Sequence, residues 1–392
     1  MLGKKEKGVV ASLQDGSTSP PQRLLFGPPP IATAEVGYAD VSAPPLGAQN
    51  CHLGQLKLFY TLLEFLTLCT PRCGTSLADC LVVYIGSAPG TTLIAVSALF
   101  PEATFLLYDP RPFDPRLQSI ASVHMRTGDG GMVSPATCTE MNAIQRRLGK
   151  RHALFISDIR VAPTEEKVMR DLLLQQAVVL TLHPLAYQLK FRLPYLGTQT
   201  TRDTQAHEFE LAPHKALLHL PKGATLKGID GQSKKGHWWY LGGEVYTQLY
   251  PPPRSTETRL VGFRESTGKY GMVPYNIHDY ENTLNAFNLG VRALKRYPRA
   301  PLVAEFSARP MWPGWQPSYE ATCELAIWDA YHTAKSPTFS KSSPASRATT
   351  VRQSIDRVHA VLGLSADRRV RCAQATAERA VQRKMRDTQG DA

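Results

Sequence analysis

The chain has 392 residues, enough for one large domain or two small ones with a real core. Lys and Arg outnumber Asp and Glu by 45 to 33, giving a net charge of +12 and a pI near 9.4, which favours a phosphate-bearing partner. Seven cysteines (51, 69, 73, 80, 138, 323 and 372) are odd in number and form no C-x-x-C pair. That pattern argues against a disulfide framework or a zinc site and for a reducing compartment, and no apolar run suggests a signal peptide or a membrane span.

In chain order, residues 1–30 are expected to be disordered, because Gly3–Gly8 is polar and Ser19-Pro20-Pro21 and Pro28-Pro29-Pro30 cannot hold regular structure. Gln55–Leu66 reads as a helix with Leu56, Phe59, Leu63 and Leu66 on one face. Strands are expected at Leu81–Ile85, Thr104–Tyr108, Ala153–Ile156 and Val178–Leu182, with helices near 91–100, 137–148 and 165–176 between them. This alternation implies an α/β fold with a mostly parallel central sheet and helices on both faces. Lys215–Leu220 and Arg259–Phe263 read as further strands, and Tyr280–Arg296 and Tyr319–Ala334 as helices. Residues 335–350 are rich in Ser, Pro and Lys and read as a loop or linker. Val351, Ile355, Val358 and Leu362 then recur at helical spacing, ended by Gly363. The segment 365–392 carries seven Arg and Lys residues and reads either as a basic helix that orders on RNA or as a solvated charged tail.

The chemistry gathers at the ends of the expected strands. Leu81–Ile85 runs into Gly86-Ser87-Ala88-Pro89-Gly90, and Thr91 opens a helix. The turn lacks the lysine of a P-loop and the three glycines of a dinucleotide site, and it suits the amino-acid end of S-adenosylmethionine (SAM). Asp109 ends the second strand, where a carboxylate can accept from a nucleoside ribose, and Arg111 follows two residues on. Asp158 closes the Leu154–Ser157 strand, and Lys190 lies beyond the next one in an apolar neighbourhood. The last two residues form either a structural ion pair or part of an active site.

Read together, Gln55-Leu56-Lys57, Tyr84–Gly90, Ile156-Ser157-Asp158-Ile159-Arg160 and Leu189-Lys190-Phe191-Arg192 resemble the poxvirus cap-specific 2′-O-methyltransferase family. Its members also serve as the processivity-conferring subunit of the viral poly(A) polymerase, and its relatives include kinetoplastid cap ribose methyltransferases. The resemblance runs from about Tyr38 to Leu364. It implies a Rossmann-like SAM-dependent methyltransferase fold, with residues 31–334 as the main domain, 351–364 as its packed last helix and 365–392 as a tail. The family's Lys-Asp-Lys-Glu tetrad falls on Lys57, Asp158, Lys190 and Glu257. Its SAM contacts fall on Gln55, Tyr84, Gly86, Gly90, Asp109, Arg111 and Asp158, and no metal is implied. Its cap contacts fall on Tyr38 and Tyr195 as stacking rings, with Arg192, Ser255, Thr256 and the base-reading Glu281.

Two positions depart from the family pattern: Arg254 replaces an aromatic residue, with Tyr250 nearby, and Gly197 replaces an acidic cap contact. The implied partners are m7G-capped RNA and a further RNA-processing protein, with no role for DNA or membrane. Few Asn and many Ala and Arg point to a cellular, nuclear enzyme, whereas a viral one would act in the cytoplasm. Two other functions fit the same resemblance: a poly(A) polymerase processivity subunit and a 2′-O-methyltransferase acting on uncapped RNA.

Overall fold

The run Cys80–Ile85 is apolar at every position, and all six residues are buried. A strand without polar alternation belongs at the centre of a sheet covered on both faces, and β1 (Cys80–Ile85) occupies that place. In the computed structural model, which describes residues 54–160, 165–193, 237–251, 255–292, 301–311, 315 and 317–364, β1 pairs in parallel with β2 (Thr104–Tyr108) and β4 (His152–Ser157). Outside β2 lies β3 (Val123–Arg126), and outside β4 lies β5 (Ala186–Phe191), both parallel. The sheet then turns antiparallel through β7 (Glu244–Thr247) and β8 (Thr258–Phe263), giving the order β3-β2-β1-β4-β5-β8-β7. A separate antiparallel pair joins β6 (His237–Leu241) to β9 (Met272–Asn276). The α/β class and mostly parallel sheet expected from the sequence are observed.

The helices are α1 (Gly54–Cys73), α2 (Thr91–Leu99), α3 (Pro135–Arg147), α4 (Glu165–Leu182), α5 (Ile277–Ala286), α6 (Pro301–Ala308), α7 (Tyr319–Lys335) and α8 (Pro344–Val361). A π-helical turn, Phe287–Arg292, continues α5. On α1, Leu56, Phe59, Leu63 and Leu66 are fully buried at the expected spacing. The chain divides into two units. One comprises the residues up to Thr67, Gln248–Thr256 and those from Asn282 on; the other holds Leu68–Thr247 and Glu257–Glu281, and thus the seven-stranded sheet. Among the described residues no helix is long and apolar enough to cross a membrane.

Three readings of the sequence are corrected. Val178–Leu182 is the end of α4, not a strand. Its β-branched residues continue a helical stripe of Val168, Leu172, Gln175, Val179 and Leu182, all buried, and that periodicity overrides β propensity. The strand is Ala186–Phe191, where Gln188 and Lys190 interrupt the apolar pattern although all six residues are buried, so Lys190 lies within a strand and not beyond one. Residues 335–350 are not simply loop. A 3₁₀ turn at Phe339–Lys341 precedes α8, which starts at Pro344 with Ser343 capping the Ser346 N–H at 3.3 Å. Proline in the first helical turn needs no N–H partner, so Pro344 opens this helix. Residues 1–30, 215–220 and 365–392 lie outside the described residues.

Candidate active site

From β1 the chain passes outward to β2 and β3, and from β4 to β5 on the other side, so the connections reverse direction between β1 and β4. Ligands of doubly wound sheets bind at the carboxyl ends of strands beside such a reversal. The Gly86–Gly90 turn and Asp158 stand at this point. Gly86 donates to the Tyr108 carbonyl at 2.9 Å, and Asp158 donates to the Ile85 carbonyl at 3.0 Å.

Both glycines of the turn take left-handed φ values, +71° at Gly86 and +73° at Gly90. A Cβ at Gly86 would stand 2.7 Å from the Ile159 nitrogen and 2.9 Å from the Asp158 carbonyl carbon. Gly86 is therefore required by the approach of the turn to the β4 end, a contact within the protein. At Gly90 a Cβ would meet the Leu117 side chain at 2.8 Å.

Asp109, 2 % exposed, follows β2 at the same edge. Its Oδ1 accepts from the backbone and Nε of Arg111, both at 3.0 Å, and its Oδ2 from the Ala88 N–H and Arg111 Nη2, both at 2.9 Å. Burial alone would raise this carboxyl, but the bonds from Arg111 and Ala88 outweigh it and hold the group below the usual carboxylate range. Asp109 is thus an ionised acceptor locked to the glycine turn, with the exposed Arg111 guanidinium folded against it. Tyr84, in β1, has its phenol pushed up chiefly by burial and then by the Asp158 charge, so it keeps its proton at neutral pH.

Sheet register assembles the charged centre. Parallel pairing sets Ser157 opposite Leu189, so Asp158 and Lys190 emerge at one level. Antiparallel pairing sets Lys190 opposite Arg259, and alternation puts Glu257 on the same face as Arg259. Lys190 Nζ lies 3.3 Å from both Asp158 Oδ1 and Glu257 Oε2. Arg259 Nη2 reaches Asp158 Oδ1 at 2.5 Å and stands 4.0 Å from Glu257 Oε1, while Nη1 donates to the Ser157 carbonyl at 3.3 Å. Two carboxylates and two cations therefore share one cluster. Gln175 of α4 fixes the strand from the side, donating to the Lys190 carbonyl at 3.1 Å.

Arg259 was missed in the sequence, where it reads as one residue of an apolar strand. Its side chain is 3 % exposed; burial works against its charge, but the Asp158 and Glu257 carboxylates more than offset this and keep it protonated. A lone charge in an otherwise uncharged strand, two residues after Glu257, was the available signal. Arg160 is a further neighbour, 3.4 Å from the buried Asp171, with burial lowering its guanidinium against the pull of Glu257 and Asp171.

The other expected site residues are placed in part. Arg192 follows β5, and Glu281 follows Tyr280, whose hydroxyl bonds Thr258 Oγ1 at 2.8 Å and the Phe191 carbonyl at 3.3 Å. This anchors the α5 turn bearing Glu281 at the strand end next to Arg192. Gln55, Lys57, Ser255 and Thr256 belong to the first unit. Gln55 Oε1 is buried without a hydrogen bond among the described residues, an acceptor suited to an ammonium donor. Tyr38, Tyr195, Gly197 and Arg254 lie outside the described residues. Among those described, no group of three or more His, Cys, Asp or Glu residues could hold a metal ion.

Residues 43–204 match the family model described as poly(A) polymerase regulatory subunit. The match takes in less than half of the chain. The chain is 31 % identical over 154 residues to the cap-specific mRNA (nucleoside-2′-O-)-methyltransferase of Fowlpox virus (strain NVSL), covering 36 % of this chain and 45 % of the relative. To the protein of the same name from Myxoma virus (strain Lausanne) it is 32 % identical over 170 residues, covering 41 % and 48 %. The chain thus spans about half the length of these relatives. A structure of bluetongue virus VP4, described as a multifunctional RNA-capping production line, aligns with 58 % of this chain and 30 % of its own at 12 % identity and a TM-score of 0.38. The family match includes the glycine turn, Asp109, Asp158 and Lys190, and it ends before Glu257 and Arg259.

Proposed function

We propose that this chain is a SAM-dependent methyltransferase acting on the ribose 2′-OH of a cap-proximal nucleotide in m7G-capped RNA. The observation that carries the reading is the Lys190 ammonium set 3.3 Å from each of two carboxylates at the reversal point of the sheet. The family of the matching segment supports it. Gly86, Gly90, Tyr84, Asp109 and Arg111 would hold SAM, with Gln55 added by the family resemblance. SAM supplies an electrophilic methyl group, which leaves the protein to orient a hydroxyl and remove its proton.

Lys190 is the base for that proton. Asp158 and Glu257 grip it from two sides, which fixes the direction of its Nζ. Arg259 engages the same Asp158 oxygen as Lys190 and stands close to Glu257, so the buried arginine helps fix both carboxylates that hold the lysine. Arg192 and Glu281 would face the cap, and Tyr38 and Tyr195 would stack on its cationic base.

The test is methyl transfer from labelled SAM to m7GpppA-, GpppA- and triphosphate-ended RNAs of one sequence. Transfer should favour the m7G-capped RNA, and Tyr38→Ala or Tyr195→Ala should each cost about 1–3 kcal/mol of cap affinity. Equal transfer to all three RNAs would remove the cap from the reading. The family description also favours a second reading, regulation of a poly(A) polymerase. That role would be seen as longer poly(A) products when the chain is added to a polymerase it binds.

A further inference from the structure

The first unit contains a buried carboxylate that the proposed chemistry does not use. Glu324, on α7, is 3 % exposed. Its Oε1 accepts from the Tyr60 hydroxyl and its Oε2 from the Tyr250 hydroxyl. Tyr60 Oη in turn accepts from Trp328 Nε1 at 3.1 Å. Tyr60 stands three residues after Lys57 on α1, and Tyr250 lies in the segment 248–256 that leads through Ser255 and Thr256 into Glu257. That segment is held at two more points: Arg292, 3.3 Å from the buried Glu320, donates to the Gln248 carbonyl at 3.0 Å, and Asn288 donates to the Ser255 carbonyl at 3.1 Å. Tyr250 has a left-handed φ of 53°, unfavourable for a residue with a side chain and sustained only where its surroundings hold it.

We propose that Glu324 is a positioning residue, whose two oxygens fix the spacing between the helix carrying Lys57 and the segment that delivers Glu257. The inference rests on the reading of Lys57 and Glu257 as members of the catalytic tetrad. A carboxylate suits the task because it offers two acceptor oxygens and no donor. Tyr60 Oη already accepts from Trp328, so its proton points to Glu324. An amide at position 324 could keep that bond only by turning its NH₂ toward Tyr250, which reverses the bond on the arm that holds the segment. Helix α7 lies beyond the residues 43–204 of the family match, and this role gives the C-terminal helices a part in the chemistry.

The test compares full-length Tyr250→Phe, Glu324→Gln and the double variant with Asp329→Asn. Asp329→Asn weakens another α7 contact, the pair with Arg347 of α8 at 2.9 Å. Tyr250→Phe and Glu324→Gln should each lower kcat for capped RNA about 10- to 100-fold with SAM affinity unchanged, and the double variant should fall no further than the worse single one. Amides of 248–250, 255 and 256 should exchange faster in these variants and not in Asp329→Asn, which should lose melting temperature but keep kcat. Wild-type exchange and kcat in both single variants, or an equal loss in Asp329→Asn, would overturn the proposal. Should Glu324→Gln fail to fold, Tyr250→Phe carries the test alone. Should the wild-type chain transfer no methyl group, the functional reading fails, and amide exchange still decides whether Glu324 anchors the segment.

Discussion

Lys190→Met should lower methyl transfer to capped RNA by about 10²- to 10⁴-fold, the range expected for loss of a positioned base. Methionine keeps most of the buried stem and deletes the nitrogen, so the change isolates the proton acceptor from packing. SAM affinity should stay close to wild type, because the glycine turn, Asp109 and Arg111 are held by their own hydrogen bonds. Capped-RNA binding should likewise be retained. Kinetics at saturating SAM, SAM binding by calorimetry and circular dichroism check the three parts. Substantial activity in a folded Lys190→Met chain would remove Lys190 from the role of base.

Arg259→Leu should act on stability and catalysis together. It deletes the guanidinium bound to Asp158 and to the Ser157 carbonyl, while the contact of Lys190 with Asp158 remains. Breaking a buried ion pair from one side costs about 3–5 kcal/mol, and the lower end is expected here because Lys190 still faces Asp158. Methyl transfer should fall as well, because Asp158 loses the guanidinium that holds it beside Lys190. Arg259→Lys should fall between, since it keeps the charge but lacks the fork that spans Asp158 and Ser157. Urea denaturation gives the first effect and kcat at saturating SAM the second. A variant with wild-type stability and wild-type kcat would contradict the role given to Arg259.

Much of this site was legible because local signals coincide with the sheet's logic. The unbroken apolar run of β1, the glycines that end it, and Asp109 and Asp158 at strand ends all follow from short stretches of chain. Arg259 was hidden because its meaning is not local: only the antiparallel register, 69 residues apart in sequence, sets it opposite Lys190. Lys190 was recognised for its chemistry but placed after the wrong element. The β-branched end of α4 looks like a strand, and the polar residues of β5 do not. Helix α8 was cut short for a similar reason, since its start, Ser343-Pro344-Ala345-Ser346, carries the Ser and Pro residues that usually mark loops. Glu324 carried no signal at all: nothing in Cys323-Glu324-Leu325 tells a solvated helix face from a carboxylate receiving two tyrosine hydroxyls.

The most direct test of the central claim is to locate the transferred methyl group. Wild-type chain is incubated with labelled SAM and an m7GpppA-capped RNA of defined sequence, and the product is digested with nucleases and resolved by mass spectrometry. The account predicts the label on a ribose 2′-oxygen within the first few cap-proximal nucleotides, absent from the Lys190→Met product and from RNA carrying 2′-deoxyribose at the modified position. Label on a base, or on internal riboses irrespective of the cap, would contradict it.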